Sequence, residues 1–296
     1  MSRAASAIRG ATRAPIFVAV AALSLALPLL EGEAGASLQS ASPWVELPNA
    51  RVRLLAGPPA AEGAKSYLAG VELMLGEGWK TYWRTPGDAG VPPSFDWAGS
   101  VNLDRAEVLY PAPVRMHEPA AETIGYRNSV VFPVEVLPAD AGKSVELHLT
   151  VAFGICRDIC IPAEASLTLP LYLEQMRGAP SPAMLAALQR VPRRAALRRA
   201  SDPELKGVTA RLEGAAPSLL IEARFAQGST AVDLFLEAAE ETYVPLPKRL
   251  PDGPDGTARF AIDLSHSDNA KQLKGKTLKL TLTSEVGASE AAWTLP

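Results

Sequence analysis

Hydrophobic positions along this chain recur mostly with a period of two. The clearest run is Val145 to Phe153, where Val145, Leu147, Leu149, Val151 and Phe153 fall on one side and Glu146, His148 and Thr150 on the other. That alternation predicts a half-buried strand, and it returns at Val71-Glu72-Leu73 and in Leu167, Leu169, Leu171 and Leu173. Val130 to Val136 is equally β-rich, but Pro133 has no N–H to give a ladder, which predicts a strand edge, a bulge or a strand start. Further β-rich runs cover Ser218 to Phe225, Ala231 to Glu237, Ala258 to Leu264 and Thr277 to Thr283, separated by turn text such as Pro251-Asp252-Gly253-Pro254-Asp255-Gly256. One stretch departs from this rhythm. Pro182 opens Ala183 to Arg190, all good helix formers, with Pro192 behind and the basic run Arg193, Arg194, Arg198 and Arg199 after it.

The pattern predicts an all-β chain of two β-sandwich domains, over 37–178 and 204–296, joined by a short, solvated helical connector over 179–203. Residues 1–36 stand apart from this fold. Arg3, Arg9 and Arg13 precede an apolar run from Ala14 to Leu30, and the small residues Ala34-Gly35-Ala36 follow. This is the order of a secretory signal peptide, with cleavage expected after Ala36 and export to an oxidising compartment. Pro15 and Pro28 leave the run short of the roughly 20 apolar residues of a membrane span, and no later stretch is expected to cross a bilayer.

Composition narrows the choice of function. With 29 Lys+Arg against 32 Asp+Glu in 296 residues, the chain has no basic footprint for nucleic acid, and 48% hydrophobic residues exclude disorder. Three histidines and two cysteines leave few ligands for a structural zinc site.

Both cysteines lie in Phe153-Gly154-Ile155-Cys156-Arg157-Asp158-Ile159-Cys160-Ile161-Pro162. In an exported chain they can pair only with each other or with a partner protein. As a staple, a bridge across so short a loop removes little unfolded-state entropy, roughly 2 to 3 kcal/mol at most, so redox use explains the pair better. Continuing the strand parity turns Cys156 away from the core and exposes it to a partner, with Gly154 admitting another backbone close by. Arg157 favours a thiolate and Asp158 opposes it. Four of the five tryptophans, Trp44, Trp79, Trp83 and Trp97, fall in the first half, and Gly78-Trp79-Lys80-Thr81-Tyr82-Trp83-Arg84 carries three aromatics in five residues. Core packing and a recognition surface both account for that cluster.

These residues carry a family resemblance. From about Trp44 to Leu173 the chain resembles the N-terminal periplasmic domain of the DsbD and ScsB thiol:disulfide interchange proteins, on three pieces in order: Gly78 to Gly90, Ile124-Gly125-Tyr126-Arg127-Asn128, and Cys156 to Pro162. The text Trp83-Arg84-Thr85-Pro86-Gly87-Asp88-Ala89-Gly90 resembles the ScsB branch more closely. The resemblance implies an immunoglobulin-like fold for the first domain and a redox pair made by Cys156 and Cys160. It also implies a relay that takes electrons from a transmembrane partner of the DsbD/ScsB type and passes them to thioredoxin-like periplasmic proteins, with no organic cofactor or metal. Tyr126 matches the tyrosine of the family's Tyr-Arg motif, and His117-Glu118-Pro119-Ala120 falls where the family has a cap loop over the disulfide. His117 and Glu118 are then expected near the sulfurs, with Asp158 as a further supporting residue. The family's cap carries a shielding aromatic, and here the nearest positions are Pro119 and Ala120. The expected chain is either a free-standing relative served by a separate membrane partner or the exported front of a longer protein. Two alternatives stay open. Cys-x-x-x-Cys followed by Pro also resembles the Cu(I) site of Sco-type proteins, with His117 or His148 completing the ligands, and the loop could be a structural staple in a non-catalytic interaction module. For the second half a scaffold or docking role is expected.

Overall fold

In a computed structural model of the chain, which describes residues 40–59, 66–119, 121–172, 180–238, 242–266 and 270–296, the period-two runs become strands of four sheets. The first pair of sheets uses β1 (Val45–Leu47), β2 (Ala50–Pro59), β3 (Tyr67–Leu75), β4 (Lys80–Gly87), β5 (Ser94–Asp96), β6 (Leu103–Val108), β7 (Val114–His117), β8 (Glu122–Arg127), β9 (Ser129–Pro138), β10 (Val145–Cys156) and β11 (Cys160–Leu171). One sheet runs β1-β2-β3-β9-β6, and the other runs β11-β10-β4-β8-β7 with β5 laid on β10. Between them lies a core in which Val145, Leu147, Leu149, Val151, Phe153 and Ile155 from β10 meet Val52, Leu54, Val71 and Phe132 from the facing sheet. Each such side chain contributes roughly 1.5–3 kcal/mol on burial, so the parity of β10 is strongly fixed. The signal peptide expected over 1–36 lies outside the described residues, as do Ala120 of the cap stretch and Leu173 of the last alternating run.

Pro133 is not at an edge. It sits in β9, between β3 and β6, opposite Gly70. The Pro133 carbonyl accepts from Leu109 N at 2.7 Å, so its side without an N–H points just past Val108, where β6 has ended and no ladder bond is lost.

A short helix forms in the helix-forming run, but it is packed on the first sandwich rather than solvated. In α1 (Pro182–Arg190), Ser181 caps the N-terminus by accepting from Met184 N at 3.2 Å, and Pro182 occupies the first turn. Met184 and Ala187 pack on Leu55 and Val131 of the first sandwich. Gly70 makes this possible, because a Cβ there would lie 2.5 Å from Met184 Cε. The basic run that follows is ordered by Asp202, whose carboxylate accepts from Arg193 at 3.0 Å and from Arg199 N at 2.7 Å.

The second sandwich comprises β12 (Arg193–Arg194), β13 (Glu204–Arg211), β14 (Ser218–Arg224), β15 (Asp233–Ala238), β16 (Lys248–Leu250), β17 (Ala258–Asp263), β18 (Thr277–Thr283) and β19 (Ala288–Thr294). Its sheets run β12-β19-β18-β15 and β13-β14-β17-β16 around Leu219, Ile221, Phe260, Leu278 and Leu280. The strand β12 pairs parallel to β19, in contrast to the antiparallel ladders elsewhere. The two sandwiches pack into one compact unit. At the seam, Trp83 meets Phe235 at 5.7 Å, Arg84 forks onto Glu237 at 2.7–2.8 Å and reaches Glu290 at 2.6 Å, and Arg115 holds Asp233 at 2.8–2.9 Å.

Candidate functional site at the tip of a hairpin

The ladder between β10 and β11 runs without a break from Val145↔Leu171 to Cys156↔Cys160. The chain reverses through Arg157-Asp158-Ile159, and the two cysteines are bonded to each other. Cys156 also faces Lys80 of β4, which in turn faces Arg127 of β8. Directly opposed residues in antiparallel pairs project to the same face, so Arg127, Lys80, Cys156 and Cys160 form one row across the outer face of the sheet.

Parity does turn Cys156 off the core, but it does not expose it. Cys156 is only 1% exposed, and the exposed residue of the pair is Cys160. The outer face here is roofed by the chain itself. Tyr82 lies along it, and its hydroxyl sits 3.3 Å from Cys160 Sγ. A disulfide sulfur carries no hydrogen, so the Tyr82 O–H is the donor, and burial pushes its pKa up and keeps it protonated. Gly90, at φ +130°, crosses the Tyr82 ring where a Cβ would lie 2.3 Å from Cε1. Next to it, Val91 presses on Gly154, where a Cβ would come within 3.1 Å of Val91 Cβ. The close approach expected at Gly154 is thus made by this chain's own backbone. Thr81, facing the other way, locks β4 to β10 by donating to the Gly154 carbonyl at 2.9 Å.

Lys80 is a buried cation, 2% exposed. Its ammonium is bonded to Glu118 and to Thr123 Oγ1, and lies 5.4 Å from the Tyr82 ring centre. Burial first, and then Arg127, hold its pKa below the ordinary 10.5. Glu118 belongs to the turn between β7 and β8, so the stretch expected as a cap reaches the row of sulfurs through Lys80. His117 stays outside this group: it is exposed, with Nδ1 bonded to Glu122 at 2.8 Å. Tyr126 is also placed elsewhere. Being opposite Thr81, it faces the core, where it packs edge-on against Phe132 and donates to the Pro111 carbonyl at 2.8 Å. Asp158 pairs with Arg157 at 3.0 Å in the open turn, where solvent screens both charges. Arg157 itself leans over Trp79, 5.5 Å from the ring centre.

Two residues at the sulfurs, Lys80 and Tyr82, were not singled out from the sequence. Their signal was the aromatic cluster itself, whose alternate members face opposite ways: Trp79 and Trp83 into the core, Lys80 and Tyr82 outward. At the tip Ile159 is 67% exposed between the Arg157–Asp158 pair and Cys160, and the exposed Val91 lies against Gly154. Among the described residues no group of three or more His, Cys, Asp or Glu is arranged to hold a metal ion. His148, paired with Glu146, lies eight positions back along β10 from Cys156, roughly 26 Å at the strand rise.

Comparison with known proteins agrees with this geometry. Residues 51–171 match the family described as "Thiol:disulfide interchange protein DsbD, N-terminal", and residues 190–296 match a domain of unknown function, DUF8393. The crystal structure of the N-terminal periplasmic domain of ScsB from Proteus mirabilis is similar to 86% of this chain and 98% of that one, with a TM-score of 0.65 at 21% identity. That likeness supports the all-β, immunoglobulin-like fold. No curated protein matches significantly in sequence. Among the described residues no helix is long and apolar enough to cross a membrane.

Proposed function

With residues 51–171 a domain of the DsbD N-terminal type, we propose that the chain relays electrons by thiol–disulfide exchange through Cys156 and Cys160. The observation that supports this most is the inequality of the two cysteines: Cys160 is an exposed residue at the hairpin tip, while Cys156 beside it is buried. An incoming thiolate attacks Cys160 Sγ and forms a mixed disulfide, and the electron pair of the broken bond leaves on Cys156 Sγ. A second thiol of the partner then resolves the mixed disulfide, leaving this chain as a dithiol. Reversing the steps passes the two electrons on. Ile159 and Val91 form the apolar rim against which a thioredoxin-like partner docks. The proposed setting is the periplasm, supported by the signal-like first 36 residues, with a transmembrane DsbD/ScsB-type donor upstream. His117 and Tyr126 support the frame from outside the reacting row.

The test is trapping. Mixed with an oxidised thioredoxin-like protein, reduced Cys156→Ser chain is expected to accumulate a disulfide-linked complex through Cys160, whereas Cys160→Ser chain does not. Equal trapping by both variants, or by neither, contradicts this polarity.

A further inference from the structure

The exchange reading leaves one group at the site without a task, the buried ammonium of Lys80. We propose that Lys80 is the counter-charge for the Cys156 thiolate, occupied by Glu118 while the disulfide is intact. The assignment rests on the exchange reading and names a residue that the reading does not require.

Its basis is the row across the sheet. Lys80 and Cys156 are directly opposed on adjacent strands, which brings their Cβ atoms to roughly 4.5–5.5 Å on the same face. When a partner thiolate bonds to Cys160 Sγ, the Cys156–Cys160 bond breaks and its electron pair remains on Cys156 as a negative charge. Cys156 is almost wholly covered, so water does not neutralise that charge, and a buried anion without a partner is costly. The charged and titratable groups around it have different standing. Arg127 lies beyond Lys80 in the same row, and Arg157 and Asp158 are paired with each other in solvent. Tyr82 donates to Cys160, and Glu118 opposes a thiolate but is bonded to Lys80. Lys80 is the neighbour of the right sign, on the adjacent strand, and already dehydrated. Exchanging Glu118 for the thiolate would also free the β7–β8 turn whenever the pair is reduced, coupling the cap stretch to the redox state.

The test follows the thiolate of Cys156 by its ultraviolet absorbance against pH, in full-length chain carrying Cys160→Ser so that a single thiol titrates. Adding Lys80→Met is expected to raise the thiol pKa by about 1 unit or more, adding Glu118→Gln to lower it, and Lys80→Arg to restore most of the original value. Should Lys80→Met fail to fold, Glu118→Gln decides alone. A thiol pKa unmoved by these changes, in a protein whose disulfide is otherwise reducible and exchanges, overturns the role of Lys80 and leaves the relay standing. A disulfide that cannot be reduced in the folded wild-type chain removes the relay, and this assignment with it.

Discussion

Each sandwich ends a ladder in a tight hairpin, and the two hairpins hold their tips by different means. The β10–β11 ladder is closed by the Cys156–Cys160 bond across three residues. The β18–β19 ladder is shorter, from Thr277↔Thr294 to Thr283↔Ala288, and is closed by Ser284 N donating to the Gly287 carbonyl at 2.9 Å, with Glu285 accepting from Thr230 N at 2.7 Å. Both tips present one exposed aliphatic side chain, Ile159 and Val286. The shorter hairpin therefore closes a four-residue turn with hydrogen bonds alone. The longer one, anchored by six buried side chains of β10, has less need of a covalent clasp. A short-loop bond that joins an exposed cysteine to a buried one, with Lys80 opposed to the buried one on the next strand, fits the proposed exchange better than a clasp.

The comparison can be broken most sharply by removing both sulfurs. A Cys156→Ser, Cys160→Ser chain is expected to lose exchange with a thioredoxin-like protein completely, yet to lose no more than about 3 kcal/mol of stability in denaturant unfolding, the entropy of so small a loop. Unfolding of the first sandwich would return the bond to a structural role. Tyr82→Ala should cost about 3 kcal/mol, because it empties a buried site over the disulfide, and should speed its reduction by a small dithiol. Tyr82→Phe, which removes only the hydroxyl at Cys160, should cost less than about 1 kcal/mol.

The two tips can then be set against each other directly. Ile159→Asp is expected to slow exchange about fivefold while leaving stability within about 0.5 kcal/mol, and Val286→Asp should change neither. Equal slowing by both would show that the rim around Cys160 is not special.

The smallest effect is in pH. Burial alone would raise the pKa of Glu122, but its hydrogen bonds and charge contacts with Arg115, and then with His117, outweigh burial and hold it below the ordinary 4.5. A depressed carboxylate contributes stability above its unfolded value that is lost as pH falls through its folded value. Acidification from pH 5 downward should therefore loosen the Glu122-Arg115-Asp233 link between the sandwiches, seen as faster hydrogen exchange in β7 and β15 and absent in Glu122→Gln.

Strands with strict alternation were legible in the sequence: β10, β11 up to Leu171, β14, β17 and β18 follow the apolar positions closely. Others went unread, among them β2 and β4 to β8 of the first sandwich; in the second, β13 with Gly207 inside it, the short β16, and Ala288-Ser289-Glu290-Ala291-Ala292-Trp293-Thr294 in β19 have weak β propensity and exist because neighbours supply a register. The same division runs through the site. Cys156 and Cys160 stand out in one dimension, as a pair in a chain with no others. Lys80 does not, because what sets it opposite Cys156 is the pairing of β4 with β10, between segments far apart in sequence, and Glu118 was named only through the family's cap loop. Parity placed Cys156 on the outer face, yet that this face is covered, with Gly90 over Tyr82 and Val91 on Gly154, no period in β10 reports.

The central claim is that the Cys156–Cys160 bond is a working couple. Its most direct test is the equilibrium redox state of the pair in the folded chain, read by thiol trapping and mass spectrometry across graded glutathione or dithiothreitol buffers. A couple that titrates reversibly while the far- and near-ultraviolet circular dichroism stays native is the predicted result. A disulfide that opens only when the chain unfolds would contradict it and make the hairpin tip a staple.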